Sequence, residues 1–310
     1  MPEPRNGKTD EVRVEVDGRT LGLSNLGKVL YPDSGTTKGE VLHYYAQIAP
    51  VLLPHVKDRA VTRIRWPHGT GDMSFFEKNA PSGAPSWLRT VEVPSTGSRG
   101  ESRHGDKLLF PVVESLADLT YLANLASLEL HVHQWKVDDD GQPVMPDRMV
   151  IDLDPGHPAG LHECAQVALL VRDRLETLGL PAAPVTSGSK GLHLYAPMPG
   201  DLSSDQVREA AKQIAEALEK ERPKLVVSQM TKARRPGKVF LDWSQNTGSK
   251  TTISPYSLRG TTTPYVAAPR TWDEVEAGAE DLGELTQLRF DEVLRRVDDQ
   301  GDVFGDLLAG

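Results

Sequence analysis

Hydrophobic residues recur every three or four positions in several segments of the chain, and this spacing is typical of helices that pack on a core. Gly179 and Pro223 closely follow two of these segments, at positions where helices commonly end. The predicted helices are residues 38–54, 116–128, 161–178 and 204–221, with a further helical stretch near 291–296.

Runs of β-branched and apolar residues between these segments predict strands. The tetrapeptide Asp138-Asp139-Asp140-Gly141 predicts a hairpin turn, because Asp-Gly tolerates positive φ. Strands and helices are intermixed without the regular β-α repeat of a doubly wound sheet, so we predict an α+β fold with mixed or antiparallel sheets flanked by helices. The predicted strands are residues 60–66, 129–135, 149–154, 185–187, 192–196 and 238–243.

The composition is that of an ordinary globular protein, with 310 residues, 38% hydrophobic and 25% charged. No run of apolar residues is long enough for a membrane span, and the N-terminus has no signal-peptide core. The lone Cys164 excludes an internal disulfide and a Cys-rich zinc site and indicates a reducing, cytoplasmic setting. Residues 1–22 are polar and predict a tail or an edge strand, followed by a single unit over 23–310.

The net charge of −9 hides an uneven distribution. Residues 271–310 carry 12 acidic and 3 basic side chains, so this helical C-terminal segment accounts for the whole excess, and the first 270 residues carry 32 charges of each sign. Within that neutral part, residues 222–259 hold eight Lys or Arg and a single acid, Asp242. The stretch is either a solvated face or a site for an anionic partner.

Three aspartates form the densest chemical signal. Asp152 and Asp154 lie two residues apart in a predicted strand, so both carboxylates project from one face, and Asp242 interrupts another apolar strand. Hard oxygen ligands in such a group suit Mg²⁺ or Mn²⁺ and could support in-line phosphoryl transfer. The alternatives are a pair that caps the strand before Pro155-Gly156, and an ion pair between Asp242 and Arg235.

The segment Ser187-Gly188-Ser189-Lys190-Gly191-Leu192-His193 lies between the aspartates in sequence. Its glycines would free backbone N–H groups for phosphate oxygens, and Lys190 and His193 add positive charge or donors. The spacing is not that of a Walker A loop, and a plain hairpin turn is the simpler alternative.

Together these motifs resemble those of the archaeo-eukaryotic primase superfamily, and the chain is similar to the polymerase domain of bacterial ATP-dependent DNA ligase D. The likeness runs over residues 23–308. It rests on Asp152-Leu153-Asp154, the Ser187–His193 segment and Leu241-Asp242, and further on residues 25–32, 35–39, 75–78 and 242–246.

The resemblance implies a template-directed primase-polymerase that fills gaps in non-homologous end joining and prefers ribonucleotides. Asp152, Asp154 and Asp242 would hold two Mn²⁺ or Mg²⁺ ions when an NTP or dNTP is bound. DNA with a gap or overhang, a Ku-type end-binding protein and a ligase module are the implied partners, in the bacterial nucleoid. The alternatives are a non-catalytic module that bridges DNA ends through a 5′-phosphate, and a metal-dependent nuclease.

The resemblance also assigns binding residues. Asn25, Lys28 and Lys38 match a pocket for a DNA 5′-phosphate, although lysines are surface charges by default. Phe75 and Phe76 match residues that stack on template bases, with ordinary core as the alternative. Ile64 departs from the lysine common in relatives, which would leave Arg63 and Arg65 to hold the triphosphate. The nucleotide-binding residues implied are His131, Ser187, Lys190, His193, Arg235, Gln245, Arg259 and Arg65.

Overall fold

The computed structural model describes residues 11–95 and 106–305. The helices of these residues are α1 (Lys38–Val56), α2 (Leu116–Asn124), α3 (Leu161–Thr177), α4 (Ser204–Glu221), α5 (Trp272–Glu280) and α6 (Phe290–Gln300). The strands are β1 (Glu11–Val16), β2 (Arg19–Ser24), β3 (Val29–Tyr31), β4 (Thr36–Thr37), β5 (Val61–Arg65), β6 (Phe75–Glu77), β7 (Thr90–Pro94), β8 (Lys107–Pro111), β9 (Ser127–Val132), β10 (Trp135–Val137), β11 (Pro143–Pro146), β12 (Arg148–Pro155), β13 (Ala183–Thr186), β14 (Leu192–Pro197), β15 (Val226–Val227), β16 (Val239–Asp242), β17 (Thr252–Ile253) and β18 (Ala268–Pro269).

A six-stranded sheet in the order β15-β16-β12-β14-β13-β18 forms one half of the fold. Its pairs are antiparallel except β15 with β16. Leu153, Leu194 and Leu241 on one face pack with α3 and α4 in a buried cluster. Because side chains alternate along a strand, the residues between these leucines project from the opposite face.

A four-stranded sheet in the order β17-β9-β5-β6 forms the other half. It packs with α1 and α2 around a second buried cluster that includes Tyr44, Tyr45 and Leu130. The Tyr195 hydroxyl on β14 donates to the backbone oxygen of Ile253 on β17, at 2.8 Å, and so joins the two sheets. The predicted α+β class with mainly antiparallel sheets is confirmed.

The N-terminal residues that are described form a hairpin of β1 and β2. Asn124 on α2 bonds to the backbone of Ser24 and Gly22, so this hairpin is attached to α2, as the edge-strand alternative expects. The boundary predicted after residue 22 falls inside β2. Residues 1–10 of the predicted tail and 306–310 of the acidic segment lie outside the described residues; the rest of that segment carries α5 and α6.

Several elements differ from the predicted ones. The helix predicted over 116–128 ends at Asn124, since Ala126 adopts a φ of 59° and β9 starts at Ser127. The strand predicted over 129–135 is divided between β9 and β10, and the hairpin of β7 and β8 was not predicted. Among the described residues, no helix is long and apolar enough to cross a membrane.

Candidate nucleotidyl-transfer site

Strand pairing brings two of the three aspartates side by side. On β12, Asp152 is the register partner of His193 on β14 and of Asp242 on β16. His193 Nε2 lies 3.3 Å from Asp152 Oδ1. The Gln245 amide donates to Asp152 Oδ2 at 3.2 Å and to Asp242 Oδ2 at 3.3 Å, so a single donor ties the two carboxylates together.

Asp154 lies on the same face of β12 and is more open, with 39% of its side chain exposed. Burial and the charge of Asp152 raise the pKa of Asp154, while Arg235 approaches to only 3.9 Å. Burial would also raise the pKa of Asp152, but His193, Gln245 and Arg259 hold that pKa below its usual value. The two carboxylates therefore repel each other with incomplete compensation from the protein.

Asp242 is held by the turn that follows β16. Its Oδ1 accepts hydrogen bonds from the Ser244 hydroxyl and from the Ser244 N–H, the latter at 3.0 Å. Lys250 Nζ lies 3.8 Å from Asp242 Oδ2 and donates to the Ser244 hydroxyl. The Asp242 carboxylate is thus held by Ser244 at Oδ1 and approached by Gln245 and Lys250 at Oδ2.

The donor set fits a divalent cation bound together with phosphate oxygens. Asp152, Asp154 and Asp242 offer only hard carboxylate oxygens, and such ions take a few carboxylates plus substrate phosphates. In residues 11–95 and 106–305 the acidic, histidine and cysteine side chains form no ready-made group of three or more metal ligands. Phosphate oxygens of a substrate would be needed to complete the ligand set of any ion that these carboxylates hold.

A cavity of about 260 Å³ opens over Asp152 and Asp154, between the two sheets, and Asp242 is not part of its lining. It brings together most of the residues assigned to nucleotide binding. Arg235 is outside the lining but faces Asp154, with its guanidinium carbon 3.7 Å from the centre of the Phe240 ring. The lining includes Asp152, Asp154, His131, Ser187, Ser189, Lys190, His193, Gln245 and Arg259.

The loop between β13 and β14 differs from its prediction in one respect. The Gly188 N–H donates to the Gln287 side chain, and the N–H groups of Ser189 and Gly191 donate to the Ser187 hydroxyl. These three backbone donors, which were predicted to meet phosphate, are therefore already bonded to side chains of the protein. The exposed Lys190 is left as the loop's cationic contact for a phosphate.

Glu129 is a site residue that the motifs do not include. It is buried on β9, two residues before His131, and its carboxylate lies 2.7 Å from His131 Nε2 and 3.4 Å from Arg259. The Gly260 N–H donates to it at 2.9 Å. Burial opposes ionisation, but these partners hold the pKa of Glu129 below normal, while burial lowers the pKa of His131. An acid two residues from a histidine in an apolar strand was the available sequence signal.

Arg65 lies apart from the aspartate cavity. On β5 it donates to the Leu125 backbone oxygen at 2.7 Å and to Glu77 at 2.8 Å, beside a separate cavity of about 530 Å³. Arg63 is fully buried and also pairs with Glu77, at 2.8 Å. Both arginines flanking Ile64 therefore share the single negative charge of Glu77, and neither lines the nucleotide cavity.

The two phenylalanines lie on β6, the edge of the four-stranded sheet. Phe75 is 42% exposed, whereas Phe76 is half-buried and pairs in register with Ile64. Only Phe75 offers an open aromatic face in this arrangement, next to its register partner Arg65.

The three residues assigned to a 5′-phosphate do come together. The Lys28 N–H donates to the Asn25 backbone oxygen at 2.9 Å, and the Lys38 N–H donates to that of Lys28 at 2.8 Å. The Lys38 side chain is 5% exposed, and its ammonium donates to the Ser24 backbone oxygen at 2.6 Å. Burial and the charge of Lys28 lower the pKa of Lys38 to about 8. No carboxylate within the described ranges forms an ion pair with either lysine.

Comparisons with known proteins find a matching family and related sequences. A model of the family described as the LigD primase-polymerase domain matches residues 37–304. The multifunctional non-homologous end joining protein LigD of Mycolicibacterium smegmatis is 48% identical over 288 residues, which is 93% of this chain and 36% of the relative. The bifunctional LigD of Bacillus subtilis is 32% identical over 92% of this chain and 44% of its own length.

A solved structure gives the same result for the fold. The polymerase domain from Mycobacterium tuberculosis Ligase D, solved in complex with DNA, superposes with a TM-score of 0.86 at 46% identity, over 93% of this chain and 98% of that one. The present chain spans between 36% and 44% of the two LigD proteins just described.

Proposed function

The chain belongs to the family of LigD primase-polymerase domains, and from this premise we propose that it extends 3′ ends and fills short gaps during non-homologous end joining. Membership of this family implies a nucleotidyltransferase. The observation that carries the proposal is one cavity that joins Asp152 and Asp154 to the cationic Lys190 and Arg259. Carboxylates suit metal ions, and the cations suit the phosphates of a nucleotide.

Asp152, Asp154 and Asp242 would hold the divalent ions, with two ions and Mn²⁺ as the expected arrangement. When bound, the ions would activate the attacking 3′-hydroxyl and stabilise the leaving pyrophosphate. The protein itself keeps the carboxylates in place: Gln245 bonds to Asp152 and Asp242, and Ser244 bonds to Asp242. His193 holds Asp152 from the neighbouring strand.

The nucleotide would lie across the cavity, with its phosphates towards Lys190 and Arg259 and its sugar towards His131. Glu129 fixes the His131 ring through the 2.7 Å contact, so that this side chain presents one nitrogen to a ligand. A polar group held in this way suits a 2′-hydroxyl, and on this ground we expect ribonucleotides to be preferred. Ser187 supports the loop, and Arg235 faces Asp154 at the rim.

The DNA would be held by its 5′-phosphate and its template strand. Lys28 and Lys38, next to Asn25, form a cationic pair that has no carboxylate partner among the described residues, which suits the extra charge of a terminal phosphate. The exposed ring of Phe75 would stack on a template base, and we propose a supporting role for Phe76. Arg65 would contact this strand rather than the triphosphate, since it lies beside Phe75.

We also propose a Ku-type protein and a ligase module as partners, and a location at the nucleoid. These proposals rest on the role of the relatives in end joining, and those relatives are much longer than this chain. A non-catalytic end-bridging module is the second candidate, and the lysine cluster favours it. The aspartates favour catalysis, because repelling carboxylates in a DNA-binding protein would weaken binding to a polyanion.

A single assay separates these functions. The protein is given a gapped duplex with a labelled 3′ end, NTPs or dNTPs, and Mn²⁺, Mg²⁺ or EDTA. We expect templated extension with Mn²⁺ and its loss with EDTA, and faster extension with NTPs. Binding without extension under every metal condition would support the bridging module, and shortening of the labelled strand would support a nuclease.

A further inference from the structure

A second cavity, of about 420 Å³, is lined by Ser244 and Lys250, both of which contact Asp242. Its volume is within the range of about 300–1,000 Å³ that is common for ligand sites. It is formed between α4 and the turn after β16. Its lining includes Arg208, Glu209, Lys212, Met230, Trp243 and Lys250.

The charge of this cavity is positive. Arg208 and Lys212 are one helical turn apart on α4 and therefore share a face. Arg208 pairs with Asp205 at 3.0 Å, and Lys212 lies 3.9 Å from Glu209. Such exposed pairs are weak, so both cations remain available to an anionic ligand.

The cavity also has an apolar wall. Lys212 Nζ lies 5.7 Å from the centre of the Trp243 ring, and the indole N–H is anchored to the Ser228 backbone oxygen at 3.0 Å. Met230 is 50% exposed beside it. An anchored aromatic ring with cations around it can hold a base and its phosphates together.

Asp242 connects the two cavities. Gln245, in the nucleotide cavity, and Lys250, in the second cavity, both approach Asp242 Oδ2, at 3.3 Å and 3.8 Å. In-line transfer needs the attacking group and the leaving group on opposite sides of the reacting phosphorus. The nucleotide would occupy the first cavity, so the second cavity, which reaches Asp242 through Lys250, is left for the attacking strand.

We propose that this second cavity binds the nucleic-acid strand that ends in the 3′-hydroxyl, with its last phosphates on Arg208, Lys212 and Lys250 and a base against Trp243. The proposal rests on the proposed function, because it assigns the second reactant of the same transfer. The template and the downstream 5′-phosphate are assigned to other elements, β6 and the start of α1.

The first test compares Arg208→Gln/Lys212→Gln with Lys220→Gln/Arg222→Gln, a matched pair of exposed cations at the C-terminal end of α4 and just beyond it, outside the cavity. We expect the first double variant to raise KM for the 3′-ended strand about five- to tenfold and to reduce the salt dependence of binding by about one to two counterions. Its KM for the nucleotide and its 5′-phosphate preference should equal those of the parent, and the control pair should match the parent throughout.

If the parent is active and the two double variants have equal KM values for the 3′-ended strand, the proposal is disproved and the proposed function is left intact. A parent that extends no strand would instead disprove the proposed function. A second measurement needs no variant: a strand carrying 5-iododeoxyuridine near its 3′ end is photocrosslinked to the parent protein on gapped DNA. Adducts at Trp243 or Met230 support the proposal, and adducts confined to other residues contradict it.

Discussion

Asp152 and Asp154 on β12 and Lys28 and Lys38 beside the start of α1 are both pairs of like charge that the fold keeps together. The aspartates are surrounded by groups that partly compensate them, namely His193, Gln245 and Arg235. The Lys38 ammonium donates to a backbone carbonyl, and no carboxylate of the described residues pairs with either lysine. Burial and repulsion by Lys28 lower the pKa of Lys38 to about 8.

The two pairs differ in the source of their counter-charge and in the part of the fold that holds them in place. The aspartates lie on a central strand with hydrogen-bonded neighbours on both sides, so their geometry is fixed before any ligand arrives. The lysines are joined through loop hydrogen bonds around Asn25, which adopts a φ of 55°. The first pair is suited to position a reaction, and the second is suited to recognise an external anion.

The largest expected effect tests the aspartates. Asp152→Ala or Asp242→Ala should lower nucleotide addition roughly 10³-fold or more, because each removes a carboxylate on which the metal ions depend. The folded protein should lose little stability, since the substitution also removes repulsion. Extension rates and thermal melting measure both effects, with the exposed Asp205→Ala as the control. Activity above a few per cent of the parent's would contradict the metal assignment.

The same variants give a reading that does not depend on activity. Added Mn²⁺ should raise the melting temperature of the parent more than that of Asp152→Ala or Asp242→Ala, because an ion that binds the folded state stabilises it. An equal rise in parent and variants would place the ion elsewhere.

The next effect tests the lysines. Lys28→Ala plus Lys38→Ala should reduce the preference for gapped DNA with a 5′-phosphate over the 5′-hydroxyl form by about 10- to 100-fold, as two charge-assisted contacts are lost. Binding to the 5′-hydroxyl form should barely change. Fluorescence anisotropy on the two substrates measures this, and Lys57→Ala, which follows the C-terminus of α1, is the control. An unchanged preference would make these lysines simple surface charges.

A smaller effect is expected at Glu129, whose role is to hold other side chains. Glu129→Gln should raise KM for the nucleotide about 10-fold, because the charge that orients His131 and pairs with Arg259 is removed. The 5′-phosphate preference should stay at the parent's value. A normal nucleotide KM, or an equal loss in both measurements, would show that Glu129 has no local positioning role.

These residues also show what the sequence could predict. Asp152 and Asp154 were recognisable because a spacing of two within one strand fixes a shared face. The link between Asp242 and Asp152 depends on the pairing of β12 with β16, which residues far apart in sequence decide, and the resemblance supplied it. Glu129 was missed because its importance comes from contacts with His131 on the same strand and with Arg259, which is far away in sequence. The role of Arg65 stays a prediction, and its pairing with Glu77 on the next strand, apart from the nucleotide cavity, could not be seen from the sequence.

The smallest effect is a pH dependence at Lys38. Its pKa is about 8 in the folded protein, against 10.5 as the ordinary value, so the ammonium is lost as the pH rises through 8. Free folded protein then binds fewer protons than the unfolded chain between pH 8 and 10.5, and stability should rise with pH across that window. Lys38→Met should remove this rise, as thermal melting at several pH values can test.

The titration of Lys38 should also affect DNA binding. The preference for a 5′-phosphate should fall as the pH rises, whereas the stability of the free protein rises. A terminal phosphate is a dianion from about pH 7 upwards, so over this range only the protein changes its charge. Lys28 adds repulsion that a bound phosphate would relieve, and Glu40, on the same turn of α1, is engaged with Thr37 in the helix cap. The preference for 5′-phosphate over 5′-hydroxyl DNA should therefore fall severalfold between pH 7 and pH 9, because the phosphate must first restore the proton on Lys38. Anisotropy titrations at fixed ionic strength measure it, and Lys38→Arg, which stays charged, should flatten the profile. A preference that is constant with pH in the parent would mean that the phosphate does not contact Lys38. Lys38 would then have no role in recognising an external anion, and the contrast drawn between the lysine pair and the aspartate pair would be wrong for this residue.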